Sequence, residues 1–228
     1  QEKEPLFGKK ERKLITDPLT DNNPITIQVL GICSALAVTS LVLPSIVISV
    51  AVIFVCAFSS LFTSLLRTRI PKSIRMIVQL VIIATLVTIV EMVLKYYSYP
   101  VYRQLTIYIG LIITNCIIMG RLEAFALANK PWPAFLDGVG NALAYVGILV
   151  IVSFVRELLG SGTLWGYPVF GQKVGALLSD GTLATEASGL YALGYVDNGL
   201  MILPPMALIT VGALIWVQRA RNTKLIEA

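Results

Sequence analysis

Polar and apolar positions along this chain fall into long blocks, not into the two-residue or 3.6-residue alternation of a soluble domain. A polar opening of 23 residues gives way to six apolar runs, separated by short stretches that hold most of the charge. The runs are Ile25–Leu43, Ser45–Leu66, Ile74–Leu94, Leu105–Met119, Val139–Leu159 and Leu200–Val217. A bilayer-crossing helix needs about 17–25 residues. Five runs meet that length, and the fourth, short of it, can span only marginally. Lipid offers no partner for a backbone amide, so an open chain can span it only as helices. The pattern therefore predicts an all-α integral membrane protein with six transmembrane helices.

The basic residues orient the spans. With the N-terminus inside, the inner segments hold Lys3, Lys9, Lys10, Arg12, Lys13, Arg67, Arg69, Lys72, Arg75, Arg121, Lys130, Arg219, Arg221 and Lys224. The outer segments hold Lys95, Arg103, Arg156 and Lys173. This imbalance predicts both termini in the cytoplasm. The expected organisation is a cytoplasmic tail over 1–23, three helices over 24–100, three more over 101–218 with a long outer loop at 160–199, and a cytoplasmic tail over 219–228. Three plus three spans place the first helix inward-to-outward and the fourth outward-to-inward. Repeated halves must then be related by an axis in the membrane plane, as an inverted repeat.

Composition agrees with the block pattern. The chain is 56% hydrophobic and 14% charged, with a mean hydropathy of +0.80. The net charge of +5 belongs to segments between apolar runs and needs no nucleic acid to explain it. With no histidine in the sequence, this chain alone supplies no His-ligated haem, no His-bound zinc and no Ser-His pair. The first residues are charged and lack the apolar core of a signal peptide. Glycine-rich phosphate loops are absent; Asp137, Gly138 and Gly140 form too short a motif for a dinucleotide.

Three cysteines lie in apolar runs. Cys56 sits in the middle of a long ordinary span and is expected to pack as a small hydrophobe. Cys33 and Cys116 differ: each lies in the first segment of its half, near a glycine (Gly31, Gly110), in a stretch rich in small or polar residues. Short, interrupted segments at matching positions are what an inverted repeat brings to its central site. On the residues alone, packing and metal ligation both remain open for this pair. Thiolates suit iron–sulfur centres, and a [2Fe–2S] centre takes four protein ligands, so two must come from another chain. The charged pairs Arg121/Glu123 and Arg156/Glu157 at span ends read as anchors or ion pairs before ion-pathway groups. Glu91 either binds a cation or pairs with Lys95 at i+4. Asn22-Asn23-Pro24 is expected to open the first span, Pro204-Pro205 to kink or delay the sixth, and Trp165 and Tyr167 to anchor the outer loop at the interface.

Five stretches carry a family likeness: DNNPITIQVLGICSALAVT (21–39), RIPKSIRMIVQLVIIATLV (69–87), GLIITNCIIMGRLEAFA (110–126), FLDGVGN (135–141) and RELLGSGTL (156–164). They closely resemble the D subunits of Na⁺-translocating NADH:quinone oxidoreductases, with the homologous E subunits of Rnf electron-transfer complexes as the nearest rival. The resemblance runs from Asp21 to about Trp216. It implies a 3+3 inverted repeat whose first and fourth segments are half-helices, in the bacterial cytoplasmic (inner) membrane. It implies that Cys33 and Cys116 supply two of the four ligands of a [2Fe–2S] cluster shared with the homologous E subunit. The implied activity is that of a complex that oxidises NADH, reduces ubiquinone and exports Na⁺; this chain is not catalytic alone. The implied partners are the A, B, C, E and F subunits and the lipid bilayer. FMN, FAD and riboflavin belong only to those other chains. The resemblance makes the cluster a membrane relay from the flavin-containing F subunit to the FMN of the C subunit. The tail before Asp21 departs from the family, and Val169–Ala187 reads as an insertion. A self-sufficient secondary transporter and a scaffold without a redox centre are the competing classes; both tolerate loss of the cysteines.

Overall fold

A computed structural model of the chain describes residues 9–20, 23–71, 74–97, 99–161, 163–164, 167–168 and 203–221. Among these the chain is helical, apart from turns and one two-stranded ladder. The helices are α1 (Lys9–Thr20), α2 (Ile32–Val38), α3 (Val42–Leu66), α4 (Arg75–Tyr97), α5 (Tyr99–Ile113), α6 (Cys116–Arg121), which continues into a π-helical turn (Leu122–Ala126), α7 (Pro131–Ser161) and α8 (Pro204–Arg221). The short strands β1 (Thr163–Leu164) and β2 (Tyr167–Pro168) pair antiparallel just after α7. Most of the predicted outer loop, with Trp165 and the stretch 169–187, lies outside the described residues, as does the side chain of Tyr167.

Helices α3 and α7 form the centre. Ser64, near the end of α3, reaches Asn129, just before α7 begins, while Glu157, near the end of α7, reaches Val42 at the start of α3. The two helices therefore run antiparallel along their whole length. Gly138 lets them approach closely: a Cβ there would lie 3.0 Å from the Cys56 carbonyl oxygen and 2.8 Å from Ser60 Oγ. The buried core spreads from this contact through Ile48, Val52, Val55, Leu149 and Val152 to Ile83 of α4 and Ile117 of α6. By contrast α4 buries little, leaving Met76, Ile77, Val81, Met92 and Val93 exposed. In water such a face would be costly; in lipid or against another membrane protein it is not.

Four segments among the described residues are long and apolar enough to cross a membrane: Val42–Leu66, Arg75–Tyr97, Tyr108–Ala126 and Pro131–Gly160. The first predicted run does not form one continuous helix. Asn23 Oδ1 accepts from the backbone N–H of Ile25 (3.0 Å) and Thr26 (3.4 Å), but the turn it caps closes on Leu30 instead of propagating. Val29 (φ 55°) and Gly31 (φ 74°) then turn the chain left-handed before α2 starts. A β-branched residue at positive φ is strained by about 1–3 kcal/mol, so surrounding structure must hold it there. Apolar character records where side chains are comfortable, and it does not record a backbone reversal. In the sixth run, α8 starts at Pro204, where a proline's missing N–H is harmless, and it ends in Gln218, Arg219 and Arg221.

Residues 9–20, expected as part of a polar tail, instead form α1, which lies against α7. A Cβ at Gly140 would meet the Leu14 carbonyl oxygen at 2.8 Å and Ile15 Cα at 2.9 Å, so the two backbones touch.

Candidate functional site

Two backbone breaks meet on one side of the α3–α7 pair. In the first, Gly31 ends the left-handed turn and α2 begins with Ile32 and Cys33. In the second, α5 stops at Ile113, Thr114 turns, and extended Asn115 caps α6 by accepting from the Ile117 N–H at 3.1 Å. Asparagine suits this because its short side chain replaces the missing helical acceptor. Cys116 is the first residue of α6, so each thiol sits immediately after a break.

The breaks are in contact. A Cβ on Gly31 would stand 2.5 Å from Ile117 Cδ1, 2.9 Å from Ile117 Cγ1 and 3.3 Å from Tyr145 Cε2. Cys33 and Cys116 line the same small cavity, together with Gly31, Ser34, Leu111, Thr114 and Asn115. Both thiols are exposed at the surface of this chain. Cys56 is elsewhere, buried in the α3 core.

This donor set fits half of a metal–sulfur centre and no more. Among the described residues no three His, Cys, Asp or Glu side chains converge, and the chain has no histidine. Two exposed thiols on adjacent turns are suitable donors toward a second protein surface that brings the rest.

Polar groups hold the half-helices at their ends far from the breaks, with a reciprocity between the halves. The end of α7 grips the α2–α3 connection: Arg156 donates to the Leu36 carbonyl (3.3 Å), to Thr39 Oγ1 (2.6 Å) and to the Leu203 carbonyl (3.4 Å), while Glu157 Oε2 accepts from the Val42 N–H at 2.5 Å. The end of α3 grips the connection after α6: Arg67 donates to the Ala128 carbonyl (3.2 Å) and Ser64 to the Asn129 carbonyl (2.6 Å). Arg67 stands as far along the chain from Val42, the first residue of α3, as Arg156 stands from Pro131, the first residue of α7. Helix ends leave four carbonyls and four amides without partners, and these side chains satisfy several of them. Arg156 and Glu157 are buried, at 1% and 3% exposure, and so do more than anchor a span end at a lipid surface.

Arg121 and Glu123 go to different helices, because residues two apart point to opposite sides of a helix. Arg121 forms a two-pronged ion pair with Asp137 of α7, which also accepts from Asn141 Nδ2 at 3.1 Å. Glu123 pairs with Arg75 and accepts from Gln79 Nε2 at 3.3 Å, both on α4. Glu91 accepts from the Tyr102 hydroxyl at 2.9 Å, and Lys95 lies over the Tyr102 ring at 5.9 Å, so the expected Glu91–Lys95 pair is replaced by a shared tyrosine. Sequence reasoning gave no role to Tyr145 or Asn141 and weighed Asp137 only as part of a motif too short for a dinucleotide. An ionisable Asp137 and an Asn141 inside an apolar run were visible signals of inward-facing polar partners; a lone tyrosine in such a run gives none.

The sequence matches the family described as "Rnf-Nqr subunit, membrane protein" over residues 12–215. It is 49% identical to the D subunit of the Na⁺-translocating NADH-quinone reductase of Photobacterium profundum, over 96% of this chain and 97% of that protein. Identity to the D subunit of the Shewanella halifaxensis enzyme is 46%, over 97% of this chain and 98% of that protein. For that of Pasteurella multocida it is 48%, over 96% and 98%.

Proposed function

The chain belongs to the Rnf-Nqr family of membrane subunits, and on that premise we propose that it is the D-type member of a respiratory complex that oxidises NADH, reduces ubiquinone and exports Na⁺. Near-full-length identity to proteins of that name supports the assignment. In this reading Cys33 and Cys116 are two of the four ligands of a [2Fe–2S] cluster, completed by a homologous E subunit. The observation that carries it is that two separate backbone breaks present both thiols, exposed, in one cavity. When bound, such a cluster supplies a one-electron carrier inside the membrane.

The rest of the chain serves that placement. Irregular backbone at membrane depth is tolerated only inside protein or beside a cavity. Here the breaks lie against Ile117 and Tyr145, and the far ends of the half-helices that follow them are held by Arg156, Glu157, Ser64 and Arg67. Their reciprocal grips support a 3+3 inverted repeat: α2, α3 and α4 over 24–100, and α6, α7 and α8 over 101–218. The first and fourth predicted spans are then half-helices, with α2 following the break at Gly31 and α6 the break at Thr114 and Asn115. The reading places the chain in the inner membrane with both termini cytoplasmic, beside the A, B, C, E and F subunits, which hold the flavins.

The test is capture of the tagged full chain from its native membranes in mild detergent. The reading expects a multi-subunit complex that contains iron and oxidises NADH with quinone, faster in Na⁺ than in K⁺. A chain that purifies alone, or a complex without Na⁺-stimulated NADH oxidation, overturns it.

A further inference from the structure

The Tyr145 hydroxyl lies between the two cysteine-bearing breaks. Ser34, next to Cys33, is within hydrogen-bond distance of the Gly31 carbonyl at 3.0 Å and shares a 2.6 Å hydrogen bond with Tyr145 Oη. Asn115, next to Cys116, interacts with the same hydroxyl, while its Oδ1 accepts from the Ile117 N–H at 3.1 Å. The hydroxyl thus meets one polar side chain from each break. All three side chains are buried: Tyr145 is 1% exposed, Asn115 3% and Ser34 7%.

We propose that Tyr145 is a positioning residue that sets the separation of Cys33 and Cys116, by meeting Ser34 and Asn115 of their two turns with its hydroxyl and by wedging its ring against Gly31. The proposal rests on the reading of these cysteines as paired ligands. Its physical basis is that ligand turns drawn from distant parts of a chain share no local geometry, so their spacing depends on what bridges them. The core of α7 supplies a rigid bridge, and a buried, fully satisfied network holds its members in one arrangement.

The experiment compares the intact purified complex with Tyr145→Phe, which keeps the ring and removes the hydroxyl, and with Tyr97→Phe, an exposed tyrosine, as control. The expected result is parent-level iron before challenge, about tenfold faster iron loss to a chelator, the size typical of lost outer-shell partners, and an altered paramagnetic spectrum of the reduced complex. In iron-stripped complex, a bifunctional maleimide of fixed span should join Cys33 to Cys116 in several-fold lower yield, read by mass spectrometry of the linked peptides. Tyr97→Phe should match the parent in all three. Ser34→Ala removes the Tyr145 hydroxyl's partner in the first turn and should reproduce the shifts if Tyr145→Phe does not assemble. Parent-like iron loss, spectrum and cross-linking in Tyr145→Phe overturn the role of Tyr145. A parent without iron, whose cross-link yield still falls in Tyr145→Phe, refutes the metal reading while supporting the bridge.

Discussion

Gly31→Ala is the smallest perturbation that strikes the meeting of the two breaks. Gly31 has φ 74°, a conformation in which an L-residue's Cβ crowds its own carbonyl at a cost of about 1–2 kcal/mol. The added methyl also lands 2.5 Å from Ile117 Cδ1 and 2.9 Å from Cγ1. Ile117 is fully buried, so its side chain has nowhere to swing, and overpacking of this kind costs about 1–3 kcal/mol. The sum is a destabilisation of about 2–5 kcal/mol. The two contributions separate in a double-mutant cycle with Ile117→Val, which removes Cδ1 and by itself costs about 0.5–1.5 kcal/mol. In that background the backbone cost of Gly31→Ala persists while much of the clash is relieved, so the coupling should be at least about 1 kcal/mol. Unfolding of the purified protein by denaturing-detergent titration reads all four corners. A Gly31→Ala cost that is the same in both backgrounds within about 0.5 kcal/mol would refute the contact between the breaks. A cost near zero would refute the left-handed turn itself.

Four further outcomes follow from the contacts. Asp137→Ala strands the Arg121 guanidinium inside the fold and should lower stability by about 3–5 kcal/mol, whereas Asp137→Ala with Arg121→Leu should recover much of the loss, both read by thermal melts. Arg156→Leu removes buried charged hydrogen bonds to Leu36, Thr39 and Leu203 and should cost about 2–4 kcal/mol; Arg67→Leu, on the less buried equivalent, should cost under about 1.5 kcal/mol. Glu123→Gln breaks the partly exposed pair with Arg75 and should shift stability by no more than about 1 kcal/mol. Cys56→Ala should leave iron content unchanged and cost stability only, because its thiol is buried away from the other two.

The sequence disclosed the chemistry of this molecule more readily than its backbone. Cys33 and Cys116 stood out because each shared its apolar run with small and polar residues, and those residues are where the helices break. By its apolar side chains the run Ile25–Leu43 read as one span, and the half-helix came only from the family resemblance; the φ angles of Val29 and Gly31 place the break. Asn115 was legible as an amide needing a reason, and the reason is a cap on α6. Arg156 and Glu157 were legible as charges near a span end. Their burial was not, because it depends on the α2–α3 connection folding back over the end of α7. The polar opening read as a tail because α1 gains its stability from contact with α7 at Gly140, a tertiary contact that local composition does not encode.

Iron content tests the central claim most directly. The intact complex should be purified with Cys33→Ala and with Cys116→Ala, separately, and assayed for iron per complex beside NADH-to-quinone turnover. The account predicts that either change removes about two irons, one [2Fe–2S] cluster's worth, and blocks turnover, while the complex remains fully assembled. Parent-level iron and turnover in both variants would contradict it, and would make these thiols packing residues at the seam of a transporter or scaffold.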